Sequence, residues 1–145
     1  MTFYEVHRTI AASPQRVWAS LTDARALVSG DLGIVRLEGT IAEGATITLW
    51  SAVNPGRAFP LRVTAFVPAR EMTWAGGLPL GLFSGIRRFT LTPAAAGTEF
   101  HMREDYTGLL APLITKSIPD LTPSFEQFAR GLAALAETTA AEETR

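Results

Sequence analysis

The sequence predicts an α+β fold in which a curved antiparallel sheet closes its concave face on one long C-terminal helix. Two observations carry this. Leu121, Phe125, Phe128, Leu132 and Leu135 fall at alternating spacings of four and three, which is a single apolar stripe on a helix of period 3.6. Upstream, apolar and polar residues alternate with period two through short segments separated by turn signals, the mark of half-buried strands. The stripe needs a partner, because full burial of each such side chain is worth roughly 1.5–3 kcal/mol. The strands supply it, and a sheet wrapped on a helix buries both surfaces at once.

In chain order, residues 3–11 are rich in β-formers and read as a strand. Ser13-Pro14 offers an N-cap and a first-turn proline, and Val17, Trp18 and Leu21 follow at helical spacing, so a short helix should end near Thr22-Asp23. Ile47, Leu49 and Ser51 then alternate with Thr46, Thr48 and Trp50, which places Trp50 on an outward face. Phe59, Leu61, Val63, Ala65 and Val67 form the inward set of the next strand. Gly39, Gly44, Asn54-Pro55-Gly56 and Pro68 punctuate the run as turns. Segments 72–75, 86–92 and 98–107 complete the strands, the last two joined as a hairpin through residues 93–97, and the short connections imply an antiparallel meander. The last strand ends at Glu104-Asp105-Tyr106-Thr107-Gly108. One helix should follow, starting between Gly108 and Pro123 and ending near Glu137.

Composition bounds the function. At 145 residues the chain is expected to form a single domain, residues 1–145, large enough to bury a continuous core. The formal charge is −1 with both signs interspersed, which leaves no electrostatic footprint for nucleic acid. Cysteine is absent, excluding disulfides and thiolate chemistry. There is no apolar run of membrane-spanning length, and the polar N-terminus with Glu5 does not read as a signal peptide, so a cytoplasmic location is expected.

Residues 10–23, Ile-Ala-Ala-Ser-Pro-Gln-Arg-Val-Trp-Ala-Ser-Leu-Thr-Asp, resemble the opening signature of the START-like, Bet v 1-like (SRPBCC) superfamily. The hairpin into Tyr106-Thr107-Gly108, followed by Pro119-Asp120-Leu121-Thr122-Pro123-Ser124-Phe125, is similar to its polyketide cyclase/dehydrase branch. The resemblance spans nearly the whole chain. It implies a helix-grip fold with a cavity between sheet and long helix, used across the superfamily for lipids, sterols, polyketides and other apolar molecules. It does not imply one chemistry, since carriers, cyclases, hydroxylase subunits and chaperone co-factors share the fold.

Face alternation locates a candidate site. Phe100, Met102, Glu104 and Tyr106 share one face of the last strand, and Arg87, Phe89 and Leu91 share one face of the strand before it. A register that sets Leu91 opposite Phe100 also sets Phe89 opposite Met102 and Arg87 opposite Glu104. Arg87 and Glu104 would then offset each other's desolvation, since an isolated buried ion costs several kcal/mol. Two readings stand: an anchor for a ligand carbonyl, hydroxyl or carboxylate with Tyr106 as a further donor, or an ion pair that only supports the sheet. Phe59, Leu61, Val63, Trp74, Phe89, Leu91, Phe100 and Met102, with Phe125 and Phe128 from the helix, should line an apolar pocket.

Other polar residues promise less. His7 and His101 fall on outward faces without an evident partner, and Asp31, Asp105 and Asp120 read as turn or cap residues, so neither metal nor cofactor is expected. Residues 76–85 combine Gly76, Gly77, Gly81 and Gly85 with Leu78, Leu80, Leu82 and Phe83. That suits a lid, a hairpin packed near Leu109, Leu110, Leu113 and Ile114, or a dimer contact. A small hydrophobic ligand is the expected partner, with a homodimer as a further option. The favoured function is a binder or carrier of such a molecule. The alternatives are a cyclase or dehydratase using Glu104 or Tyr106 for proton transfer, with Arg87 beside them, and a protein-binding module of Hsp90-activator type.

Overall fold

A computed structural model describes residues 2–143; Met1, Thr144 and Arg145, part of the single domain expected from sequence, lie outside the described residues. Strand β1 (Thr2–Ile10) leads into helix α1 (Pro14–Leu21). The Ser13 hydroxyl caps α1 by accepting from the Arg16 N–H at 3.3 Å, and Val17, Trp18 and Leu21 are buried. A second short helix, α2 (Ala24–Ser29), follows at once, with the Asp23 carboxylate accepting from the Arg25 and Ala26 N–H groups. Six strands come next: β2 (Ile34–Glu38), β3 (Thr46–Ser51), β4 (Asn54–Val67), β5 (Glu71–Leu78), β6 (Phe83–Ala94) and β7 (Gly97–Thr107). Helices α3 (Ala111–Ser117) and α4 (Thr122–Glu143) end the chain.

All seven strands form one antiparallel sheet in the order β1-β7-β6-β5-β4-β3-β2, curled into a half-barrel that α4 fills. Phe125, Phe128 and Leu132 of α4 are buried against Phe89, Phe100 and Met102 of the sheet, and Leu121 and Leu135 are half-buried at the margins. The expected helix-grip architecture is therefore the observed one. Among the described residues, no helix is long and apolar enough to cross a membrane.

Several local expectations are revised. Strand β4 does not alternate to its end: the pairing with β5 shifts between Thr64 and Val67, and Ala65 adopts φ +48°. That bulge turns Ala65 and Val67 outward and brings Phe66 inward, where its ring meets Trp18 edge-on at 5.0 Å. The segment after the last strand is two helices rather than one. Ile118 is extended at the end of α3, and Asp120 accepts from the Thr122 N–H at 3.0 Å to start α4. Residues 76–85 form the extended tip of the β5–β6 hairpin, and Gly81 and Leu82 carbonyls accept from the Leu109 and Leu110 N–H groups. Backbone hydrogen bonds thus tie the tip to the residues that precede α3. Leu78, Leu80, Leu109 and Leu113 remain exposed around it.

Candidate functional site

The β6–β7 ladder pairs Leu91 with Phe100, Phe89 with Met102 and Arg87 with Glu104, as face alternation requires. Arg87 Nε donates to Glu104 Oε1 at 3.0 Å, and the Tyr106 hydroxyl donates to Glu104 Oε2. The Arg87 and Glu104 side chains keep 19% and 17% of their surface exposed, so the pair is sheltered but not sealed. Above it, the Arg87 guanidinium lies over the rings of Phe125 at 4.9 Å and Phe128 at 5.8 Å, contacts that favour a cation on an aromatic face. Tyr106 is buried between Tyr4 and Phe83. Burial first, and then the adjacent Glu104 carboxylate, push its phenol well above the ordinary tyrosine range.

Arg87 also lines a cleft of about 80 Å³ between the sheet and α4. Its walls come from Leu32, Gly33 and Ile34 on one side, from Leu49 and the 51–53 turn on another, and from Met102, Ser124, Phe125, Gln127 and Phe128. Gln127 Nε2 donates to the Asp31 carboxylate at 2.9 Å across the mouth. Two glycines let the helix and the loop approach so closely. A Cβ on Gly131 would lie 2.5 Å from the Asp31 carbonyl oxygen, and one on Gly33, at φ +80°, would lie 3.2 Å from Gln127 Oε1. Trp74, the partner of Arg87 across the β5–β6 ladder, is buried, and its indole N–H finds no acceptor among the described residues.

Of the residues expected around a pocket, Arg87, Met102, Phe125 and Phe128 border this cleft. Val63, Trp74, Phe89, Leu91 and Phe100 sit behind them in the packed core, and Phe59 and Leu61 are half-buried on β4. Glu104 and Tyr106 support Arg87 from below the cleft rather than lining it. Sequence reasoning missed Ile34, Ser124 and Gln127, because β2 carries no periodic signal and Ser124 and Gln127 lie off the apolar stripe of α4. Of the three aspartates read as turn or cap residues, Asp31 lies in the turn after α2 and holds Gln127, Asp120 starts α4, and Asp105 departs from the reading by pairing with Arg103 at 3.0 Å within β7. The histidines are not isolated. The β1–β7 register sets His7 directly opposite His101, with their rings stacked at 4.2 Å.

Comparison with known proteins places these features in context. A search of the curated proteins returned no match. Among solved structures, protein MLL2253 from Mesorhizobium loti superposes with a TM-score of 0.74 at 20% identity, over 95% of this chain and 98% of that one. Protein SA2116 from Staphylococcus aureus gives 0.73 at 12% identity, over 97% and 96% of the two chains. DynU16, a protein of the dynemicin biosynthetic locus, gives 0.70 at 21% identity, over 94% of this chain and 48% of that one. Identities this low establish shared fold alone. The sequence itself matches, over residues 1–137, the family described as polyketide cyclase / dehydrase and lipid transport. Because that match runs through every element that builds the grip and its cleft, the chain belongs to the polyketide cyclase/dehydrase and lipid transport family.

Proposed function

We propose that the chain, acting as one domain, binds or carries one small and largely apolar molecule, of lipid, polyketide or aromatic-like type, whose polar end is held by Arg87. The observation that carries this reading is the state of the donors there. Glu104 takes Arg87 Nε, whereas among the described residues no protein acceptor takes the two terminal amino groups, and the Trp74 indole N–H beside it is buried without a partner. Leaving such a donor unsatisfied costs about 1–3 kcal/mol, so an acceptor oxygen delivered by a ligand would relieve a standing penalty. A carboxylate or carbonyl suits a guanidinium fork best. Phe125, Phe128 and Met102 would flank the apolar body, with Phe59, Leu61, Val63, Phe89, Leu91 and Phe100 as the floor of an opened cavity.

Opening is part of the proposal. A cleft of 80 Å³ holds a few waters, whereas small-molecule sites occupy roughly 300–1,000 Å³. The first turns of α4 would have to part from residues 31–33, and the Gln127–Asp31 hydrogen bond is the contact that breaks. Proton transfer, the cyclase or dehydratase alternative, fits less well. Both Glu104 oxygens are engaged, and Tyr106 holds its proton past the ordinary phenol range.

Titration with a fluorescent fatty acid and with its methyl ester tests the reading. Saturable binding near 1:1 at micromolar affinity is expected, with the acid preferred about tenfold or more, because a hydrogen bond to a charged group is worth about 1.5–3 kcal/mol. Arg87→Met should erase the preference while ester binding persists. Absence of saturable binding by either probe would remove the carrier reading, and equal affinity for acid and ester would remove the anchor.

A further inference from the structure

Glu5 and His7 are two apart on β1 and therefore share its outer face, and the β1–β7 register adds His101 from the neighbouring strand. Glu5 Oε2 lies 2.9 Å from His101 Nε2 and 3.9 Å from His7 Nε2, and the three atoms all lie within 4.8 Å of one another. The stacked rings, 10° from parallel, turn both Nε2 atoms toward that one oxygen. This face is opposite to the one that carries Arg87, since Val6 and Ile10 of β1 and Met102 of β7 point into the core.

We infer that Glu5, His7 and His101 form a binding site for a divalent transition-metal ion of the zinc, cobalt or nickel kind. An ion with ligand bonds of about 2.1 Å in tetrahedral geometry holds its ligand atoms about 3.4 Å apart. The observed 2.9 and 3.9 Å separations bracket that value, and to seat the ion the two stacked imidazoles would unstack so that their ring planes meet at the metal, His101 giving up its hydrogen bond to Glu5. Two imidazoles with one carboxylate select borderline metals over magnesium or calcium, which take oxygen ligands alone. The strand ladder holds all three groups in place before the metal arrives, and the remaining coordination position faces solvent.

The surroundings favour a cation on balance. Glu5 supplies the anionic oxygen ligand beside two neutral imidazoles, and binding releases the proton that His101 Nε2 shares with it. Arg103, opposite Glu5, directs its charge into Asp105 and lies over the Phe3 ring at 3.9 Å. Glu99, the next outward residue of β7, adds a carboxylate held by Thr9 Oγ1 at 2.6 Å, and Thr90 of β6 stands beside His101 without charge. A bound ion would clip edge strand β1 to β7, and by binding the folded chain would raise the thermal midpoint increasingly as free metal exceeds its dissociation constant.

The test uses untagged protein, whose two histidines are both in this cluster. Calorimetric titration with zinc should give one ion per chain at micromolar affinity, magnesium should give no heat of binding, and zinc should raise the thermal midpoint reversibly with EDTA. His7→Ala and His101→Ala should each weaken zinc by at least the roughly 10–100-fold that loss of a mere supporting partner causes at metal sites. Glu43→Gln, an exposed carboxylate elsewhere, should change nothing. Both histidine side chains reach solvent, so the variants should keep the wild-type midpoint in EDTA, and added nickel should broaden both imidazole proton signals of the wild type. Millimolar affinity would overturn the site. So would half-stoichiometric binding, or a His7→Ala/His101→Ala double variant that binds zinc as the wild type does.

Discussion

Arg87, Glu104 and Tyr106 form a chain of dependence in which each group fixes the next. Glu104→Gln strands the Arg87 charge and Arg87→Met strands the carboxylate, so each should lower stability by about 1–3 kcal/mol in chemical denaturation, less than the roughly 3–5 kcal/mol of a fully enclosed pair because solvent reaches this one. The double variant should recover much of the loss. Additive losses would mean the two groups act separately. Tyr106 adds a pH dependence of definite sign. Its pKa is raised in the folded chain, so the unfolded chain loses its proton first and stability must fall as pH climbs from about 10, the ordinary phenol value. Tyr106→Phe should flatten that alkaline limb; an unchanged limb would show that the phenol is not held. The Arg87–Glu104 pairing was legible in the sequence because Phe89, Leu91, Phe100 and Met102 fix both faces and the hairpin turn fixes the register. The His7–His101 contact was not, since β1 and β7 pair across most of the chain and nothing local sets their register.

The elements divide in the same way between local and long-range signals. The stripe on α4 and the Ser13-Pro14 cap on α1 announce themselves through spacing and cap chemistry. Helix α2, at 6 residues, and strand β2, at 5, are too short for a period to show. The β4 bulge hid because Ala65 and Val67 continue an apolar alternation that the backbone does not follow. A direct check is Ala65→Gly: glycine accepts a positive φ freely, so stability should hold or rise, whereas in a regular strand the change would cost about 0.5–1 kcal/mol. On α4, Phe128→Ala should cost about 3–5 kcal/mol, as truncation of a buried aromatic does, and a loss under about 1 kcal/mol would contradict its packing against Phe89 and Phe100. Gly131→Ala should also destabilise despite alanine's higher helix propensity, because the added methyl meets the Asp31 backbone.

At the scale of the whole molecule, the sheet and α4 are closely packed on each other around Arg87, which spends its Nε on Glu104. On the proposed function the closed grip is the resting state, and the contact of the 31–33 loop with α4, through the Gln127–Asp31 hydrogen bond, is the seam that opens. Weakening that seam with Gln127→Ala should speed probe association several-fold at little cost in stability, read by stopped-flow fluorescence; unchanged association would place the entrance elsewhere. The fold and the Arg87–Glu104 pairing could be read from residue order alone, but the cleft could not, because Ile34, Ser124 and Gln127 meet only once the sheet has curled. On the proposed function, a ligand enters between sheet and helix and ends on Arg87. Amide and guanidinium chemical-shift mapping of the labelled protein, titrated with an unlabelled medium-chain fatty acid, tests it most directly. The predicted result is saturable shifts at Arg87 Nε, the Trp74 indole N–H, Ile34, Leu49, Ser124 and Gln127. Shifts confined to the outer face of the sheet, or to the exposed leucines at the β5–β6 tip, would contradict it.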